Sequence, residues 1–159
     1  MPKKAKKKST RVAKATAADA ELILKLYDLR REEKLREARD FMAQQFWPQS
    51  AEDIVAIATA AGTDENRYFR QAGSYWEMAA SLVVHGALDG ELFVASSGEM
   101  FFLYAKFRPH LERVRKELGQ ALFLKNVESV AERWPDRTKL FSERVAKMTA
   151  MRKVAGAGR

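Results

Sequence analysis

Cysteine is absent from this 159-residue chain and histidine nearly so, with His85 and His110 its two examples. The first absence removes disulfides, thiolate metal sites and cysteine nucleophiles at a stroke, and it suits a reducing compartment such as the cytoplasm. The di-iron helical bundle needs two Glu-x-x-His pairs to present carboxylate and imidazole on one face, and with only two histidines this chain has no such pair. Wholly apolar runs extend for only a few residues, against ~20 for a membrane-crossing helix. The sequence holds no hairpin dipeptide flanked by alternating apolar residues, so strands are not expected. Also missing are the HExxH, GxGxxG and P-loop patterns, and Gly86 and Gly90 lack the strand context that a phosphate cradle requires.

Charge is present but unevenly placed. Of the net +8, +7 falls in the first fourteen residues, on Lys3, Lys4, Lys6, Lys7, Lys8, Arg11 and Lys14. Residues 136–159 add seven bases against two acids, which leaves 15–135 with 15 bases and 19 acids. The chain is thus a mildly acidic body between two basic ends. The lysine cluster resembles the n-region of a signal peptide, but Ser9 to Asp19 is polar and alanine-rich where an apolar stretch would follow, so no secretory signal is expected. Too polar to pack, residues 1–16 are expected to form a disordered tail. A helical domain over 17–134 follows, then a basic amphipathic helix over 135–152 and a flexible end over 153–159.

Helical periodicity runs through the body. Leu22, Leu26 and Leu29 share one face, and a second register of Leu35, Ala38 and Met42 resumes after a break expected near Glu32. Phe46-Trp47-Pro48 ends this unit, since the residue before proline is driven out of the helical region. Ser50 reads as an N-cap, with Asp53 at the favourable third position and Ile54, Ile57, Ala58 and Ala61 lining the helix up to Gly62. From Asp64 to Gly86, Arg67, Gln71, Ser74, Glu77, Ser81 and His85 form one narrow polar stripe on an otherwise apolar helix around Phe69, Ala72, Trp76, Ala79 and Val83. Such a helix packs on several sides, and it is expected to be central. Asp89 then caps a short helix and Gly98 ends it. Phe101, Phe102, Tyr104 and Phe107 precede a turn at Pro109, Gly119 closes the next helix, and Val127, Val130, Ala131 and Trp134 define another. The expected fold is all-α, a single compact bundle of about six to seven helices.

Between Tyr27 and about Trp134, the segments Arg36-Glu37-Ala38-Arg39, Tyr75-Trp76-Glu77 and Val84-His85-Gly86-Ala87-Leu88-Asp89, then Gly98 and Pro109 followed by Arg115, form a recurring pattern. In this pattern the chain resembles an uncharacterised family of short helical bacterial proteins known only as a domain of unknown function. The resemblance implies an all-α fold and carries over no catalytic residue.

Candidate sites are few. Glu77, Ser81 and His85 lie at i, i+4, i+8 and spread over two turns, a poor geometry for a triad, so no catalytic, cofactor or metal residue is nominated. Glu77, beside Trp76 and Met78, is expected to be partly desolvated and to pair with an arginine of the helix after Pro109, Arg115 in preference to Arg113, as a structural ion pair. The nominated polyanion-binding set is Lys3, Lys4, Lys6, Lys7, Lys8, Arg11 and Lys14. These features favour a non-enzymatic helical interaction module with basic ends suited to polyanions, its aromatic-rich body binding a protein partner or a second copy of itself. A nucleic-acid or ribosome-associated protein without sequence preference is the alternative, acting through the N-terminal tail, and a peripheral protein of anionic membrane surfaces is the second alternative. No cofactor or small-molecule substrate is expected.

Overall fold

Local capping chemistry sets most of the helix boundaries. The structure, a computed structural model, describes residues 14–157; Lys3, Lys4, Lys6, Lys7, Lys8 and Arg11 of the nominated set therefore lie outside the described residues. Helix α1 (Ala17–Arg31) starts at a capping box in which the Thr16 hydroxyl accepts from the Asp19 amide at 3.2 Å and the Asp19 carboxylate accepts from the Thr16 amide at 2.7 Å. The second Asp19 oxygen accepts from the Asp89 amide at 2.8 Å, so one acid ties the start of α1 to the cap of a helix 70 residues on. Hydrogen bonds from the Thr16 side chain and amide, with that from Asp89, hold its carboxyl below the usual range.

The break expected near Glu32 is there. Glu32 leaves the helical region (φ −55°, ψ 137°) and its carboxylate takes the amides of Lys34 and Leu35, which starts α2 (Glu33–Asp40). A π-helical turn, Phe41–Gln45, continues α2 before Phe46 turns extended (φ −86°, ψ 105°) and the chain leaves the helix through Trp47 and Pro48. Ser50 and Asp53 form a second capping box for α3 (Ala51–Thr59). Helix α4 (Asp64–Val84), capped by Thr63, buries Phe69, Ala72, Tyr75, Trp76, Ala79, Ala80 and Val83, while its polar stripe is exposed at Arg67, Ser74 and His85 and half-buried at Gln71, Glu77 and Ser81.

Asp89 caps α5 (Gly90–Ser96), with Leu92 N at 2.7 Å, and Ser97 alone separates it from α6 (Gly98–Phe107). A 3-10 turn carrying Pro109 leads into α7 (Leu111–Leu118), which Gly119 closes in the left-handed region at φ 64°. Then come α8 (Lys125–Arg133) and α9 (Pro135–Ala157). The fold is all-α, with no strand among the described residues. One-residue breaks at Glu32 and Ser97 divide the expected bundle into nine α-helical segments among the described residues.

Two helices share the centre. Helix α4 packs against α8, α2 and α3, and α6 against α9, α8 and the π-turn. From Met100 to Phe107 every side chain but that of half-exposed Phe102 is buried, so α6 is enclosed on all sides. Residues Arg39 and Glu99 fasten α2 to the first turn of α6 through paired hydrogen bonds of 2.8 Å (Nε to Oε1) and 2.6 Å (Nη2 to Oε2). Helix α9 lies along α6. Its Thr138 hydroxyl donates to Ala131 O at 2.7 Å, and its Phe141 ring stacks on Phe101 at 5.9 Å. A Cβ on Gly98 would stand 3.0 Å from the Phe141 ring, so any larger residue there would have to push this ring aside by a few tenths of an ångström. The helix continues to Ala157 rather than ending at 152.

Candidate functional site

Glu77 does not pair with Arg115. It reaches from α4 to the start of α8, where Oε1 accepts from the Asn126 main-chain and side-chain N–H groups at 2.8 Å each and Oε2 accepts from the Val127 amide at 3.1 Å. The first amides of a helix have no intrahelical partner and carry the positive end of its dipole, so a carboxylate there is held without a cation. Residue 124, which should supply the cap, is a leucine in the left-handed region (φ 52°) with no side-chain acceptor. Glu77 takes over that duty. Arg115 is engaged elsewhere, its Nε donating to Phe123 O at 2.9 Å and its Nη1 to Glu128 at 3.1 and 3.2 Å. Arg113, the other arginine considered, is exposed and pairs with Glu52 and Glu117. Ser81 bonds back to Met78 O at 2.6 Å and His85 is the exposed C-cap of α4, so neither turns toward Glu77 as a reacting group.

The most unusual ionisable group was not singled out in the sequence. Lys106, on α6, is 4% exposed. Its ammonium donates to Met42 O and, at 2.8 Å, to Phe46 O, two carbonyls that the end of the π-turn leaves open. The rings of Trp47 and Phe102 stand 4.6 and 5.1 Å from Nζ. Burial, with a smaller push from the Arg152 charge, brings its pKa down from 10.5 to about 7. The carbonyls and ring faces pull the other way, toward the ammonium. One signal in the sequence pointed here: Phe102 and Lys106 are four apart on a helix whose other charged residue is Glu99 in its first turn.

Helix α9 covers this corner. The Arg152 guanidinium lies 4.9 Å from the Trp47 ring centre and that of Arg144 lies 6.0 Å from Phe102. Between α9 and the Trp47–Gln49 segment runs a groove of about 720 Å³. Lys14, the one nominated polyanion-binding residue that is described, is exposed ahead of α1. Among the described residues, no helix is long and apolar enough to cross a membrane, and no group of three or more His, Cys, Asp or Glu side chains could hold a metal ion.

Residues 15–134 match the family described as Domain of unknown function (DUF4760), and the chain belongs to that family. The matched residues end at 134, immediately before α9. No curated protein and no solved structure matches the chain.

Proposed function

We propose that this protein is a helical binding module that engages a polyanion through its basic ends. The observation that carries the reading is the charge of α9. Six bases, Arg137, Lys139, Arg144, Lys147, Arg152 and Lys153, stand against Asp136 and Glu143, and none of the six is within ion-pair distance of a carboxylate among the described residues. Five of them are exposed, Arg137 being half-buried. With Lys3 to Lys14 this concentrates positive charge on segments flanking an acidic body, and unpaired bases of this kind release counterions when they meet phosphates.

The test is binding of a single-stranded RNA oligonucleotide across a range of salt, with the full chain, a chain lacking residues 1–14, and Lys139→Glu with Lys147→Glu. The log of the affinity is expected to fall linearly with log salt, at about 0.9 per phosphate neutralised on a duplex and ~0.7 on a single strand, and each change is expected to flatten that slope. Anionic phosphatidylserine vesicles form the second arm. Binding to vesicles alone moves the module to a membrane surface, and binding to neither, at low salt, rejects the polyanion reading.

A second reading, a protein partner or self-association, is favoured by α1, which exposes Leu24 (65%), Tyr27 (51%) and Leu29 (51%) within six residues. Sedimentation of the full chain beside Leu24→Glu checks it: a dimer that the substitution dissociates supports self-association through α1.

A further inference from the structure

The groove beside Lys106 points to a ligand of another size. Its volume of about 720 Å³ falls in the range of clefts that hold small molecules. The walls are largely apolar, with Trp47, Pro48 and Pro109 on the body side and Val145, Ala146 and Ala150 on α9. The ionisable groups lining it are Lys106, Arg108, His110 and Lys153, and among the described residues no carboxylate lines it. In a body where acids outnumber bases, a groove lined by bases alone has a strong charge preference.

We propose that this groove binds a small amphipathic anion, an organic carboxylate or phosphate monoester carrying an acyl or aromatic body. The apolar body lies along Trp47, Pro109 and Val145, and the acid group meets the bases Arg108, His110 and Lys153. The carboxylate and phosphate forms share the recognising chemistry, a negative head on an apolar stem. The site does not rest on the polyanion reading, since its walls and size come from the join of α9 to the body.

The test titrates isotope-labelled full-length protein, below micelle formation, with octyl phosphate, octanoate, inorganic phosphate and octyltrimethylammonium. Octyl phosphate or octanoate is expected to shift the amide signals of residues 105–110 and 142–153 to saturation. The cationic probe, with the same stem, is expected to leave them in place, and inorganic phosphate to bind more weakly than octyl phosphate. Ala146→Phe, on an exposed wall position, fills the groove, and Lys153→Glu reverses a charge at it; each is expected to weaken binding about tenfold or more, or ~1.4 kcal/mol. Equal shifts with the cationic probe, shifts outside these residues, or affinities unchanged by both variants overturn the proposal. So does a dimer that Ala146→Phe dissociates, because the groove is then an interface between copies of the chain.

Discussion

Glu77 and Asn126 are joined twice, one carboxylate oxygen accepting both the main-chain and the side-chain N–H of Asn126 at 2.8 Å. The acid lies on α4 and the amides open α8, so one helix is capped by another 49 residues earlier. This bond sets where α8 begins.

Removing the carboxylate strands three donors at once. Glu77→Ala is expected to lower stability by about 2 to 3 kcal/mol, and Glu77→Gln, which keeps an acceptor, by about 1 kcal/mol. In a double-mutant cycle measured by urea unfolding, Glu77→Gln and Arg115→Met are expected to add, to within ~0.5 kcal/mol, because they share no bond. Coupling belongs instead to Arg115 and Glu128.

Trp76 is 1% exposed in the middle of α4. Trp76→Ala is expected to cost about 3 to 5 kcal/mol. Its Nε1 has no acceptor among the described residues, so Trp76→Phe also removes an unmet donor and is expected to cost under ~2 kcal/mol. Urea midpoints of the two variants separate volume from polarity, and a peripheral helix would leave both near the parent value.

Lys106 links stability to pH. Its pKa of about 7 in the folded chain, against an ordinary 10.5, means that the unfolded chain holds the extra proton between those values. Stability due to this group therefore rises as pH rises from about 7 toward 10.5 and is lowest below 7. The carbonyls of Met42 and Phe46 favour the ammonium and reduce the effect, which is expected to be about 1 to 3 kcal/mol over that window. The difference in unfolding free energy between the parent and Lys106→Met, taken at neutral and at alkaline pH, reads it directly; a difference that does not change with pH refutes it.

Gly90 leaves no room for a side chain. A Cβ there would fall inside the contact distance of the Trp134 ring and 3.3 Å from Val83 Cγ1. Gly90→Ala is expected to cost about 1 to 3 kcal/mol by overpacking. Trp134 donates to Glu91 at 2.9 Å, so displacement of its ring should also appear as a change in tryptophan emission.

What the sequence made legible was local. Ser50, Asp89 and Gly119 announce helix ends because a cap is chemistry between residues three or four apart, and the break at Glu32 showed in the six-residue step from Leu29 to Leu35. Phase was harder. Leu29 shares a helical face with Leu26 by spacing, yet it is 51% exposed, because the face that packs is centred on Ile23, Leu26 and half-buried Arg30. The partner of Glu77 was not legible, since the amides of Asn126 and Val127 become an anion site only once Leu124 has turned left-handed before α8. Lys106 was hidden for a similar reason. A lysine reads as solvated until the π-turn supplies two open carbonyls beside it, and nothing in Phe41–Gln45 announces a π-turn.

The enclosure of α6 bears on how the molecule opens. Backbone amides exchange with solvent through the cheapest opening that exposes them, and α6 has no face reached by local fraying, since α8, α9 and the π-turn all pack on it. Its amides from Leu103 to Phe107 should therefore exchange only through openings large enough to undock one of these neighbours, among the slowest in the chain. Part of that cover is α9, which the family match does not include. The kinetic protection of α6 is thus partly lent by a helix beyond the matched residues, and the undocking of α9 sets a ceiling on how long α6 stays shut.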